Sequence, residues 1–210
     1  AGLAAIRVKR GKLRAAPILS PPLTFRVFIK FYIPLAATSL LSLLIQPLGS
    51  AALSRMPRAL ESLAVWPVVI GLSFVFRSMG MGFNEVVVAM LDQPGAEKSL
   101  RRFTALLVGF LTVLQLTLVA TPLADVWFRR LSALSPQLAE YAHLGMWLAI
   151  LLPALTTLQS WYQGAIVNSK STRAIPEAVT IFLITIGILL SLGIAWGKSA
   201  GLYVGLIAFT

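Results

Sequence analysis

An all-α, polytopic membrane helical bundle is the fold class this sequence predicts, and three observations predict it. Of the 210 residues, 58% are hydrophobic and only 12% are charged, about half the charged share of a soluble domain; mean hydropathy is +0.85. The apolar residues come in runs of about twenty, the length an α-helix needs to cross roughly 30 Å of hydrocarbon. The charges sit in the connections between those runs, with the basic ones biased to alternate connections, as positive-inside sorting requires. That placement also explains the formal charge of +11 without invoking nucleic acid.

Residues 1–30 form a basic arm, read as a cytoplasmic linker lying partly on the membrane surface. It holds Arg7, Lys9, Arg10, Lys12, Arg14, Arg26 and Lys30 and no acid, and Pro17, Pro21 and Pro22 interrupt any long helix there. Residues 31–210 form the transmembrane lobe. Its first span is expected over 31–53, with Pro34 in the first turn and Pro47 as a kink point. Thr38, Ser42, Gln46 and Ser50 recur every four residues. The stripe they make serves either to pack small residues against a neighbour or to line a cavity.

A tight loop at Arg55–Arg58 leads to a second span over 61–83, with Trp66 suited to the interface. Ser73, Arg77, Gly80 and Asn84 follow at spacings of four, three and four, which places them on one helical face. Arg77 is the one charge well inside an apolar run, about 24 Å along the helix from Glu61 at 1.5 Å per residue. It either snorkels to the nearer interface or faces a polar cavity, where a guanidinium would attract anionic groups.

Gln93-Pro94-Gly95 signals a turn within the next connection. A third span over 103–123 has only threonines and Gln115 as polar interruptions. Trp127 and Phe128 then read as interfacial anchors before an outer loop at 131–140. The fourth span, 141–167, carries Pro153 and becomes half polar, with Thr156, Gln159 and Gln163 at i, i+3 and i+7 on one face. Amides in hydrocarbon are costly unless satisfied, so that face should look into protein or a water-filled cavity. A polar and basic tail at 168–173 argues that this helix ends at the cytoplasm. A fifth span covers 178–196, and 200–210 begins a sixth too short to cross.

The side of each connection follows from the basic residues. Seven lie in the arm, three after the second span and two after the fourth, against five at the opposite ends, with Arg77 the eighteenth. The bias predicts a cytoplasmic N-terminus in a multi-pass protein of the cell membrane, read as a bacterial inner membrane.

No chemistry of bond making is visible. Without cysteine there is no disulfide, thiolate metal site or cysteine nucleophile. The one histidine, His143, has no paired Asp, Glu or second His and reads as structural. There is no Walker loop, HExxH, GxSxG setting or pair of carboxylates on one helix. The chain is therefore not read as an enzyme, and no catalytic residue, metal or cofactor is expected.

Three segments carry a resemblance. FYIPLAATSLLSLLIQPLGSAALSR, VVVAMLDQPGAEKSLRRF and GAIVNSKSTRAIPEAV resemble, in order and spacing, the opening helix and two inner loops of one lobe of a multidrug and toxic compound extrusion (MATE)-type transporter. That family sits in the wider flippase superfamily with lipid-linked oligosaccharide exporters. The resemblance spans about residues 24–210. WYQGAIVNSKSTRAIPEAV is most similar to bacterial relatives of the progressive ankylosis protein, which are associated with export of small anions such as pyrophosphate, citrate or nucleotides. The resemblance implies a second six-helix lobe, with residues 1–23 as the linker between lobes and two lobes rocking around a central cavity. The chain lacks an initial methionine and stops inside an apolar run, so a longer protein is expected.

Two functions fit. One is a transporter lobe moving an anionic or amphiphilic solute by alternating access, with its first two helices lining the cavity. Its candidate binding residues are Thr38, Ser42, Gln46, Ser73, Arg77 and Asn84, joined by Gln159 and Gln163. The other is a non-transporting half-transporter that packs as a structural subunit of a larger membrane complex. Either way the expected partners are the lipid bilayer and a first lobe or other membrane subunits.

Overall fold

The computed structural model describes residues 25–169 and 174–210. The expected basic arm up to residue 24 and the centre of the polar tail at 170–173 lie outside the described residues. Among the described residues seven helices of nine residues or more are seen: α1 Phe25–Leu53, α2 Ala59–Met90, α3 Ala96–Ala120, α4 Pro136–Leu148, α5 Leu152–Asn168, α6 Ala174–Trp196 and α7 Gly201–Phe209. The described residues contain no strand, so the all-α expectation is met. Four stretches are long and apolar enough to cross a membrane: α2, α3, α4 with α5 taken together, and Pro176–Trp196 of α6. α1 adds the shorter apolar stretch Leu43–Leu53.

Several boundaries differ from expectation. α1 begins six residues early and takes Arg26 and Lys30 into the helix, because lysine and arginine are good helix formers. α3 likewise takes in Lys98, Arg101 and Arg102. The fourth span is two helices, broken at Ala149–Leu151. Pro153 has no N–H to give the carbonyl four residues back, that of Ala149, so the helix cannot run straight through.

α2 organises the packing. Val65, Val69, Leu72, Phe76, Phe83 and Val87 are buried along it, a run at helical spacing that makes one apolar face. That face lies chiefly against α5 and also against α4. α3 joins this group through α5, whereas α1 pairs mainly with α6. α7 plugs the end near Arg58, touching α1, α2, α4 and α6. The largest cluster of buried side chains joins α2, α4 and α7 there. A smaller one, Phe83, Val87, Ala96 and Leu100, closes the α2–α3 turn at the opposite end, which we call the Arg101 end.

The amino end of α7 shows how the Arg58 end is locked. The first N–H groups of a helix have no partner within it. Gly201 N–H donates to the Pro57 carbonyl at 3.2 Å, and Leu202 N–H donates to Ser62 Oγ at 3.1 Å. Ser62 also pairs with the Tyr141 hydroxyl at 2.9 Å. Arg58 stacks over the Tyr141 ring, its Cζ 4.5 Å from the centroid, and pairs with Glu61, which raises the pKa of the guanidinium.

Two expected interfacial anchors are core residues instead. Trp66 is buried edge-on against Phe209, with ring centroids 5.2 Å apart. Phe128 is fully buried in a π-helical turn, Val126–Leu131, that links α3 to α4. A π-turn re-aims the side chains it carries; here Phe128 points into the core while Arg129 and Arg130 stay exposed. His143 is structural: its Nε2 lies 2.9 Å from the Val119 carbonyl, one of the last carbonyls of α3, which lack a partner in their own helix.

Candidate functional site: a guanidinium at the α2–α5 seam

Two glycines let α2 and α5 approach closely. A Cβ on Gly80 would lie 2.6 Å from Thr157 Oγ1, and one on Gly164 would lie 2.7 Å from Val87 Cβ. Small residues permit such contact between backbones, where dispersion supplies the attraction that the hydrophobic effect cannot supply in lipid.

Ser73, Arg77, Gly80 and Asn84 share one face of α2, as their spacing predicts, and the face meets α4 and α5. Ser73 is fully buried, with its hydroxyl 3.6 Å from Met146 Sδ. Gly80 is the contact just described. Arg77 and Asn84 are half-buried, and Asn84 Oδ1 is enclosed without a hydrogen-bond partner among the described residues.

Arg77 lies about 20 Å from the Met90 end of α2 at 1.5 Å per residue, well inside the apolar part of the helix. Its Nε–H donates to Thr156 Oγ1 at 2.9 Å. Thr156 in turn donates its own proton to the Leu152 carbonyl at 2.8 Å. The ion pairs among the described residues are Arg58–Glu61 and Arg101–Glu97, so no described carboxylate cancels the charge on Arg77. A guanidinium stays protonated and has four further N–H donors in a plane, so the site suits a carboxylate or phosphate.

Gln159 and Gln163 lie one and two turns beyond Thr156 on α5. They line a cavity of about 430 Å³ with Ile45 of α1 and Ala178, Val179 and Phe182 of α6. It opens between the α2-centred group and α1–α6, toward the Arg101 end. Neither glutamine has a side-chain hydrogen-bond partner among the described residues. Gln46 is elsewhere: its Oε1 accepts from Trp66 Nε1 at 3.4 Å, where α1 meets α2. The side chains of Thr38 and Ser42 lie outside the described residues.

Sequence reasoning passed over Gln115. It is fully buried, and its Nε2 donates to the Ala149 carbonyl at 2.9 Å, which also accepts the Leu152 N–H at 3.1 Å; Pro153 removes only the usual donor four residues on. The signal was present, since a proline at 153 deprives the carbonyl at 149 of its usual donor four residues on; which helix would add a further donor was not readable from one chain. Compared with known proteins, the sequence matches no family model, and neither a curated protein nor a solved structure matches it.

Proposed function

We propose that the chain is a lobe of a membrane transporter that moves an anionic or amphiphilic solute by alternating access, as the MATE-type resemblance implies. One observation carries the reading: Arg77 is a half-buried guanidinium, deep in an apolar helix, held by a neutral hydroxyl rather than by a carboxylate. Charge at such depth is expensive and, where it occurs, marks solute or ion pathways. The cavity bearing Gln159 and Gln163 supplies amide donors on the neighbouring face of α5. A second lobe, supplied by a preceding segment or another membrane subunit, would complete the cavity. On this reading the Arg101 end, and with it the N-terminus, would face the cytoplasm in a bacterial inner membrane, a placement the basic asymmetry supports as to side.

A second reading, a half-transporter that packs as a structural subunit, is favoured by a different observation. Ser73, Gly80 and Gly164 are used for helix packing rather than left facing open volume.

The test is uptake of radiolabelled citrate and pyrophosphate into reconstituted vesicles by wild type, Arg77→Lys and Arg77→Gln. Losing charge-assisted hydrogen bonds should cost about tenfold or more in transport, with protein level within twofold of wild type. Lys should be intermediate, since it keeps the charge and loses the planar fork. Equal transport by all three proteins refutes the role of Arg77. A lysine variant indistinguishable from wild type means that the arginine merely reaches the interface. Absence of transport together with a stoichiometric membrane partner on purification establishes the subunit reading.

A further inference from the structure

A separate depression runs along the outside of the bundle between α3 and α5 at the Arg101 end. Its volume is about 560 Å³, and its lining includes Arg101, Thr104, Ala105, Gly109, Trp161 and Tyr162. The floor is apolar despite the threonine, because Thr104 turns its hydroxyl back onto the Leu100 carbonyl at 2.8 Å. The far end is open: a Cβ on Gly109 would meet nothing within 4 Å. From Arg101 to Gly109 the trough follows α3 for about 12 Å at 1.5 Å per residue.

Its two ends differ in chemistry. The Gly109 end is walled by Val108 and Leu158. The other carries Arg101, with Lys98 and Arg102 on the same turns of α3 and Glu97 as the nearby acid. Arg101 Nη2 pairs with Glu97 at 2.8 Å, but both side chains are more than 60% exposed. An exposed pair of this kind is weak and screened, so an outside anion can compete for the guanidinium. Trp161 and Tyr162 beside the basic end are the residue types that sit at headgroup depth.

We infer that this trough is a binding site for an anionic phospholipid, its phosphate at Arg101 and an acyl chain along Ala105, Val108 and Gly109. A zwitterionic lipid would fill the apolar part without complementing the basic rim. A soluble anion would meet the rim and leave the apolar part unfilled. The inference rests on the membrane location of the helices and not on transport.

Trp161 reports on the site directly. The full chain is reconstituted in phosphatidylcholine vesicles containing either brominated phosphatidylglycerol or brominated phosphatidylcholine. The Trp161→Phe variant is measured in parallel, so that the difference isolates Trp161 from the other four tryptophans. Brominated phosphatidylglycerol should quench Trp161 at about fivefold lower mole fraction, the preference one basic residue confers at a membrane surface. Arg101→Gln should lower that ratio several-fold, toward the residual preference set by Lys98 and Arg102, while Arg101→Lys keeps it. Gly109→Leu should reduce quenching by both lipids. Inorganic phosphate should leave the ratio unchanged relative to sodium chloride of equal ionic strength. Equal quenching by both lipids in wild type would mean ordinary annular lipid and overturn the inference. A ratio that survives Arg101→Gln would place the anion site elsewhere. Failure of both lipids to quench would mean that a protein segment covers the trough. A ratio abolished by phosphate alone would make the ligand a free anion.

Discussion

Gly80→Ala tests the α2–α5 seam with a single methyl group. The added Cβ would stand 2.6 Å from Thr157 Oγ1, 3.2 Å from Thr157 N and 3.3 Å from its Cα. Thr157 cannot swing away: it is fully buried, is β-branched, and donates to the Pro153 carbonyl at 2.9 Å. Two of the three contacts are backbone, so the helices themselves must separate by a few tenths of an ångström. Overpacking of this kind costs about 1–3 kcal/mol, against a helix-propensity gain of up to about 1 kcal/mol for Ala over Gly. Gly82→Ala is the internal control. It lies two residues away on the exposed face, and its Cβ would meet nothing within 4 Å, so only the propensity gain remains. The two variants should therefore differ by about 1–3 kcal/mol, with Gly80→Ala the less stable. The assay is a reversible dodecyl sulfate titration from mixed micelles, followed by far-ultraviolet circular dichroism. Adding Thr157→Ala removes the shortest contact, so the double variant should be more stable than the sum of the single effects. Gly80→Ala as stable as Gly82→Ala would refute the close approach.

Two further outcomes follow from the break and from the charge bias. Gln115→Leu should change stability by less than about 1 kcal/mol in the same titration, because the Ala149 carbonyl keeps the Leu152 N–H and the buried, unpartnered Gln115 Oε1 leaves with the amide. A loss above about 2 kcal/mol would show that the Leu152 N–H does not satisfy the carbonyl on its own. For topology, a cysteine at Ser99 should react with a membrane-impermeant maleimide only after the cytoplasmic face is opened, and one at Ser54 should react in intact cells. The reverse pattern would overturn the assignment of the Arg101 end to the cytoplasm.

The sequence made faces legible and left their partners undetermined. The spacing of Ser73, Arg77, Gly80 and Asn84 put them on one side of α2, and the structure keeps them there; that this side meets α5 depends on contacts some eighty residues away in the chain. Trp66 and Phe128 show the limit of compositional rules. Aromatic enrichment at interfaces is a tendency of residue type, whereas their burial is decided by Phe209 and by a π-turn that no local pattern announced. Charged residues misplaced the starts of α1 and α3 for a related reason: charge marks where hydrocarbon ends, and a helix continues beyond that point for as long as its backbone hydrogen bonds do. Gln159 and Gln163 line the volume between α1, α5 and α6, Gln159 exposed and Gln163 half-buried.

The orientation of Arg77 can be traced to Pro153 through ordinary local chemistry. The proline interrupts the helix, and α5 restarts at Leu152. In the first turns of the new helix, Thr156 and Thr157 turn their protons back onto the carbonyls of Leu152 and Pro153. A hydroxyl whose proton is committed presents lone pairs to whatever lies outside its own helix. For Thr156 that is the Nε–H of Arg77. A carboxylate at position 156 would hold the arginine as firmly and would also cancel its charge. The threonine fixes one edge of the guanidinium and leaves the charge uncompensated, so the anion-binding reading rests on the neutrality of Thr156 as much as on the depth of Arg77.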